Sequence, residues 1–244
     1  DPDVEMKDSG VDWLGEVPAH WEVTRISSIA CSIQTGPFGS QLPASDYEDG
    51  GEFPVINPSH IQNGTLQPDE DVAVSSKTAE RISLHKLKEG DIVLGRRGDI
   101  GRCAVVRGSE AEWLCGTGSM RIRCKRQLIT ADFLANFIRS PLVRSALELS
   151  SVGATMSNLN EETVSKLEVA FSSTKEQLAI VNHIEDIALQ IDNSIESISK
   201  EITLIREYRT RLIADVVTGK LDVREAEAAQ VEDGIPMDVD DQQV

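Results

Sequence analysis

A long stretch without glycine or proline, residues 174 to 217, restricts the fold of this chain more than any other feature. Along it an apolar residue returns every seven positions, at Ile184, Ile191, Ile198, Ile205 and Leu212. This spacing predicts a single helix with one apolar stripe along its side. About 40 residues at ~1.5 Å per residue span roughly 60 Å, more than a domain of this size needs to cover its own core. We therefore expect the stripe to pack against a partner helix, and the alternative is a helix folded back on its own domain.

Signals at both ends delimit this helix. Ser173 with Glu176, or Thr174 with Gln177, predicts a capping box at its start. Gly219 predicts its end, because glycine adopts the left-handed conformation that commonly follows a last helical turn. These signals place the helix within residues 173 to 218.

The apolar residues between the heptad positions shift along the helix. Ile187 and Tyr208 occupy the fourth position of the repeat, whereas Ile195 and Ile202 occupy the fifth. This shift favours a broad interface, compatible with an antiparallel partner, over a parallel leucine zipper. The residues that follow the helix, 219 to 244, are acidic and poor in large apolar groups, which predicts a disordered tail.

The residues before the helix predict a domain made mostly of short strands and turns. Residues 91 to 106 contain two apolar runs around a glycine-rich basic turn, which predicts a hairpin or a bulged strand pair. Residues 120 to 125 alternate strictly, so that Met120, Ile122 and Cys124 share one face of a strand and three basic residues share the other. We expect the first face to pack in the core and the second to be cationic.

Two short helices and one more strand complete this domain. Residues 131 to 139 and 141 to 149 predict helices, since Ser140 before Pro141 is a typical N-cap and first helical residue. An apolar strand is predicted near residues 167 to 171. The fold class is therefore α+β: a mixed, mostly β domain over residues 1 to 172, then one long α-helix.

The net charge of −17 argues against a nucleic-acid partner, but its distribution does not. Residues 1 to 22 and residues 224 to 244 each carry seven acidic residues and one basic residue. Between residues 96 and 126 the balance reverses, with eight basic residues against three acidic ones. A basic surface can therefore exist on this acidic chain.

No signal for catalysis, metal binding or membrane insertion emerges from the sequence. The four cysteines form no CxxC pair, so we expect reduced thiols and no metal. The glycine-rich turn at 95 to 101 lacks the Lys-Ser or Lys-Thr of a P-loop. The segment Asn57-Pro58-Ser59-His60 lacks the second proline and the aromatic residue of an adenine methyltransferase motif. Without a long apolar stretch or a signal sequence, we expect a cytoplasmic protein with no cofactor and no membrane contact.

The sequence resembles the specificity subunit of type I restriction-modification systems. The segments that carry the resemblance span nearly the whole chain: MKDSGVDWLGEVPAHWEV (6–23), TGPFGSQL (35–42), KEGDIVLGRRGDIGRCAVV (88–106), GTGSMRIR (116–123), GATMSNLNEE (153–162), KEQLAIVNHI (175–184) and RTRLIADVVTGKLDVRE (209–225). In that family two target-recognition domains alternate with two long helices that pack antiparallel. This chain has one of each, which implies one half of such a subunit. Its opening and ending favour the C-terminal half, and a natural half-subunit that dimerises is the alternative.

The resemblance implies a non-catalytic protein that reads one half of a bipartite DNA target. Its expected partners are double-stranded DNA, the methyltransferase subunits that modify it, the restriction and translocase subunit through the complex, and a second half-subunit or a second copy through the long helix. Catalysis is expected in those partner subunits. The alternative function is a coiled-coil protein-protein scaffold or a self-dimerising half-subunit.

The candidate DNA contacts lie mainly in glycine-rich turns, which expose backbone N–H groups, and on neighbouring basic residues. They are Gly36, Phe38, Ser40, Gln41, Arg96, Arg97, Arg102, Ser119, Arg121, Arg123, Ser157 and Asn158. For the arginines the alternative is an ordinary solvated face. For the small polar residues it is ordinary turn chemistry.

Overall fold

The computed structural model describes residues 3–151 and 159–221. It divides into two compact units, Asp1–Ile184 and Glu185–Val244. The division predicted from the sequence, after residue 172, remains a prediction about domain limits. From residue 222 onwards the predicted acidic tail lies outside the described residues.

The first unit contains strands and short helices in mixed order. Its strands are β1 Met6–Asp8, β2 Glu16–Pro18, β3 Glu22–Arg25, β4 Ala30–Thr35, β5 Tyr47–Glu48, β6 Phe53–Ile56, β7 Ile61–Gln62, β8 Thr65–Leu66, β9 Ala73–Val74, β10 Asp91–Gly95, β11 Cys103–Val105, β12 Leu114–Cys115, β13 Ser119–Cys124 and β14 Glu168–Phe171. Its helices are α1 Ile26–Ile29, α2 Ser76–Arg81, α3 Ala131–Arg139, α4 Pro141–Ser151 and α5 Glu161–Lys166. The predicted α+β class is confirmed.

A central antiparallel sheet, in the order β11-β10-β13-β4, organises this unit. The predicted hairpin is confirmed, because β10 pairs with β11 from Ile92 opposite Val105 to Leu94 opposite Cys103. The alternation along β13 also places its apolar residues as expected. Met120 and Ile122 are fully buried in the main core, where α3 covers the sheet.

A second sheet, in the order β12-β6-β9-β5, encloses a smaller core. Its strands have two to four residues, and β12 runs parallel to β6. The backbone near residues 84 to 86 lies close to the central sheet, since the Arg121 side chain of β13 donates hydrogen bonds to the carbonyl oxygens of Leu84 and Lys86. One face of the central sheet is therefore covered by a segment that no sequence pattern predicted as a cover.

Both helices predicted after the sheet are confirmed. Thr130 caps α3 by accepting a hydrogen bond from the Phe133 N–H, and the Ser140 hydroxyl accepts one from Val143 at the start of α4. Helices α2 and α5 were not predicted from the sequence. Each has six residues, too few for a periodic apolar pattern to stand out.

The long helix α6 covers Thr174–Val217, as predicted. At its start the Ser173 hydroxyl accepts a hydrogen bond from the Glu176 N–H at 3.4 Å, as the capping box requires. The Glu176 carboxylate does not complete the box, because it accepts hydrogen bonds from His20 and Trp21 instead. The helix ends before Gly219, whose φ of 73° is the left-handed conformation expected there.

Gln177 fastens the first turn of α6 to the domain. This side chain is fully buried, accepts a hydrogen bond from the Thr130 N–H at 2.8 Å, and donates to the carbonyl oxygens of Leu128 and Ser172 at 2.9 and 2.7 Å. We expect Gln177→Ala to lower the free energy of unfolding by about 2–3 kcal/mol, because the buried Ser172 carbonyl and two less buried groups, the Thr130 N–H and the Leu128 carbonyl, lose their partner.

The control for this prediction is Gln67→Ala, which removes the same side chain from an exposed position. It should change the free energy of unfolding by less than about 0.5 kcal/mol. Denaturant unfolding measured by circular dichroism compares the two variants. Equal stability of both variants would contradict the fastening role of Gln177.

The long helix exposes its apolar stripe. The five heptad residues from Ile184 to Leu212 are between 38% and 65% exposed, and every residue from 185 to 214 is exposed. The partner helix that would cover the stripe stays a prediction. Among the helices of the described residues, none is both long and apolar enough to cross a membrane.

Candidate nucleic-acid interface

Several turns meet at one end of the central sheet. There Thr35 ends β4, Gly95 ends β10 and Ser119 begins β13, and the strand register places these ends side by side. The Gly36 N–H donates to the Ser119 carbonyl at 3.0 Å. The loop after β6 reaches the same place, where the Asn57 side chain accepts from the Gly118 N–H at 3.5 Å. We call residues 36–41, 57–64, 95–102 and 116–119 the loop end.

Glycine allows two of these turns to approach each other. A Cβ atom on Gly36 would collide with the carbonyl group of Gly116. A Cβ atom on Gly116 would in turn collide with the side chain of Asn57. The turn after β4 therefore packs backbone against backbone on the turn before β13, and a side chain at either glycine would separate them.

The loop end presents one exposed aromatic ring. Phe38 is 51% exposed, and the Arg96 guanidinium lies 5.2 Å from the centre of its ring. The Phe38 N–H donates to the Gln41 side chain at 3.0 Å, which closes the turn on itself. A cation over one face and a closed turn hold the ring at the surface.

The three arginines predicted in the turn after β10 have different surroundings. Arg96 is buried and donates from Nε to the Leu159 carbonyl at 2.8 Å, and burial, then the nearby charge of Arg97, lowers the pKa of its guanidinium. Arg97 is exposed and has no hydrogen-bond or ion-pair partner among the described residues. Arg102 is 38% exposed and contacts Asp99 and the Pro58 carbonyl. Arg97 and Arg102 are therefore the accessible cations of this turn.

The two predicted arginines of β13, Arg121 and Arg123, do not join this surface. Arg121 is buried, donates to Gln34 at 2.6 Å, and has its pKa lowered by burial and then by Arg123. Arg123 forms two hydrogen bonds of 2.7 Å with the buried carboxylate of Asp91, and these bonds raise its pKa. The alternation correctly placed Arg121 and Arg123 on the face opposite the core residues of β13. The expected free cationic surface is wrong for these two arginines, because the backbone of Leu84 and Lys86 covers Arg121 and the buried Asp91 pairs with Arg123. DNA contact by Arg121 and Arg123 remains a prediction.

Other predicted contacts have varied positions. Ser40 and Gln41 are exposed in the turn after β4. Ser119 is fully buried, and its hydroxyl has no hydrogen-bond partner among the described residues. Ser157 and Asn158 lie outside the described residues. Leu159, the first described residue after them, lies at the loop end, since its N–H donates to the Arg96 carbonyl at 2.9 Å.

A cleft that shares residues with the loop end was not predicted from the sequence. It has a volume of about 580 Å³, and its lining includes Gln62, Asn63, Arg102, Arg139 and Arg144. Arg139 and Arg144 lie in α3 and α4, two helices for which the sequence predicted no functional residue. A basic residue in the last turn of a predicted helix was the one signal that could have drawn attention to Arg139.

A comparison with protein families and curated proteins gives a consistent result. Residues 18–204 match the family model described as "Type I restriction modification DNA specificity domain". The chain is 23% identical to the type I restriction enzyme EcoKI specificity subunit of Escherichia coli (strain K12) over 85% of this chain and 44% of that protein. It is 22% identical to the StySPI specificity subunit of Salmonella potsdam, with the same coverage. The chain spans about half the length of the curated relatives it matches.

Solved structures share the fold at low sequence identity. A chain from a study of complex assembly and conformational transition of the type I R-M system aligns with a TM-score of 0.65 and 15% identity, covering 86% of this chain and 48% of that one. The HsdS subunit from Thermoanaerobacter tengcongensis aligns with a TM-score of 0.54 and 18% identity, covering 77% of this chain and 41% of that one. These likenesses support the architecture described above.

Proposed function

This chain belongs to the type I restriction modification DNA specificity domain family, and on that premise we propose that it reads one half of a bipartite DNA target through the loop end. The observation that carries the proposal is the meeting of separate turns at one end of the sheet. Sequence reading needs several adaptable segments within reach of the same few base pairs. The loop end supplies them on a rigid support.

The chemistry of the loop end suits DNA. Arg97 and Arg102 offer guanidinium groups that can bind phosphates or the edge of guanine, and Gln41 offers an amide of the kind that pairs with adenine. The exposed ring of Phe38 provides an apolar contact for a thymine methyl group or a sugar. Backbone N–H groups of the glycine turns can add phosphate contacts.

The proposal also assigns a role to the long helix. Because the chain spans about half of its relatives, a second half-subunit or a second copy would read the other half of the target. The apolar stripe would join the two helices and set the distance between the two reading domains. The methyltransferase subunits, and the restriction subunit through the complex, would assemble on this pair and supply the catalysis.

A second candidate function is a protein-protein scaffold built around the helix, which the exposed stripe favours. The two candidates differ in the role of the domain. A scaffold needs no DNA affinity at the loop end, whereas a reading domain loses affinity when its accessible cations are removed.

We expect Arg97→Ala with Arg102→Ala to weaken DNA binding and to reduce the slope of log affinity against log salt by about two units, because each lost phosphate contact removes close to one unit. The buried Arg96 is left intact in this variant. The measurement is filter binding of the full chain, assembled with its partner subunits, to duplex DNA across a salt series.

The matched control removes two cations from the opposite end of the same sheet. Lys88 precedes β10, and Lys125 follows β13. Lys88→Ala with Lys125→Ala makes the same change in net charge but should leave the salt slope within about half a unit of the original. Equal losses in both variants, or affinity that does not depend on salt, would rule out DNA reading by the loop end.

A further inference from the structure

The cleft beside the loop end is built around three arginine side chains. We call Gln62, Asn63, Asp99, Arg102, Arg139 and Arg144 the arginine cleft. Its walls come from the turn between β7 and β8, the turn between β10 and β11, and helices α3 and α4. Segments far apart in the sequence therefore bring three permanent positive charges to one concave surface.

Two glycines give the arginines their positions. Gly64 and Gly101 both have positive φ angles, of 78° and 86°. A Cβ atom at Gly101 would lie 2.6 Å from Cγ of Arg144, and one at Gly64 would collide with the Arg139 guanidinium. The aliphatic stem of Arg144 and the head of Arg139 thus lie directly against the backbone of the two turns. This contact limits their rotamer freedom before any ligand binds.

One carboxylate holds two of the arginines. Asp99 accepts hydrogen bonds from Nε and Nη2 of Arg102 at 3.3 and 3.2 Å, and its other oxygen accepts one from Nη2 of Arg144. Arg139 donates to the neutral side chain of Asn136 at 2.7 Å. Among the described side chains that line the cleft, three cations therefore face one anion. The excess of two positive charges is unusual on an acidic chain and favours an anionic ligand.

We propose that the arginine cleft binds the sugar-phosphate backbone of DNA, with Asp99 holding Arg102 and Arg144 in place until the phosphates arrive. The inference rests on the function proposed above and extends it, because it separates backbone positioning from base reading. Guanidinium groups bind phosphate oxygens through paired hydrogen bonds, the same geometry in which they bind a carboxylate. Asp99 therefore keeps the arginine forks ordered for a phosphate and also lowers the affinity for unrelated DNA.

The first test removes Arg139 and Arg144, the two arginines of the cleft that lie in helices. We expect Arg139→Gln with Arg144→Gln to reduce the salt slope of DNA binding by about two units and to weaken binding by about ten-fold or more near 0.1 M salt. The ratio of affinities for the preferred and for scrambled duplexes should stay unchanged, since phosphate contacts do not depend on sequence. An unchanged slope, or a loss confined to the preferred duplex, would overturn the proposal.

The second test removes the carboxylate. Asp99→Asn raises the positive charge of the cleft. We expect this variant to bind scrambled DNA at least about three-fold more tightly than the original chain at low salt, with a steeper salt dependence. If the three arginines only hold the turns together, the same variant loses ion pairs and gains no affinity for DNA. Weaker or unchanged binding by Asp99→Asn would therefore overturn the proposal even where the variant stays folded.

The outcomes also separate this inference from the proposed function. Loss of affinity in Arg97→Ala, a loop-end residue outside the cleft, without a loss in Arg139→Gln with Arg144→Gln, would leave the loop end as the DNA reader and remove the cleft. Absence of DNA binding by the original chain would remove both. A site for free phosphate would behave differently. Inorganic phosphate would bind the original chain but not Arg139→Gln with Arg144→Gln, and both would bind DNA with the same affinity. That result would overturn the DNA assignment.

Discussion

Ile191→Asp with Ile198→Asp should abolish assembly through the long helix and leave the globular domain folded. Both isoleucines lie in the heptad stripe and are 53% and 55% exposed. Burial of each side chain against a partner contributes about 1.5–3 kcal/mol. Two buried carboxylates in their place remove that contribution and add a desolvation cost, so the association constant should fall by about a thousand-fold or more.

The matched control places two aspartates on the opposite side of the helix. Leu189 and Thr203 are also exposed, and both occupy the sixth position of the heptad, which faces away from the stripe in helical projection. Leu189→Asp with Thr203→Asp should assemble normally. Sedimentation of the chain alone and with its partner subunits measures assembly, and thermal unfolding verifies the domain. Normal assembly of the stripe variant would show that the helix docks through another face.

Asp91→Ala should give the largest loss of domain stability from a single polar side chain, about 3 kcal/mol or more. The Asp91 carboxylate is 1% exposed, pairs with two nitrogens of Arg123 at 2.7 Å, and accepts from the Lys88 N–H at 2.8 Å. Its removal leaves the Arg123 guanidinium, with only 28% of its side chain exposed, without its counter-ion. The cost is that of a charge taken out of water without compensation.

Two further variants make this prediction specific. Glu162→Ala breaks an exposed ion pair with Lys166 in the same domain, where water screens the charges, and should lower the stability far less than Asp91→Ala does. Asp91→Leu with Arg123→Met replaces the whole pair by apolar groups and should recover much of the stability that Asp91→Ala loses. Urea unfolding of the full chain measures all three. If Asp91→Ala were as stable as Glu162→Ala, water would have to solvate the Arg123 guanidinium after the loss of its counter-ion.

Local patterns predicted the framework of the candidate site. The glycine-punctuated turn at 95 to 101 lies between two short apolar runs, and the resulting hairpin is confirmed. The turn at 36 to 41 was identified by its glycines and by its family resemblance. What the sequence could not predict is that both turns meet the loop at 57 to 64, because strand order in a sheet depends on contacts between distant segments.

Which arginines are accessible could not be predicted from the sequence either. Arg97 and Arg121 both appeared as candidate cations, but Arg97 is exposed and Arg121 is buried under other parts of the domain. Arg139 and Arg144 were not candidates, although they line the cleft beside the loop end. Charge is a local property of the sequence, whereas access to solvent is decided by whatever packs above the residue.

The sequence by itself determined the long helix, the hairpin, the alternating strand and the family, since each depends on residues a few positions apart or on a sequence pattern along the chain. Only the tertiary structure decided which cations are accessible, which are neutralised by a buried acid, and which turns share one end of the sheet. The physical reason is that periodicity acts within one element, while burial and ion pairing arise between elements that meet only after folding.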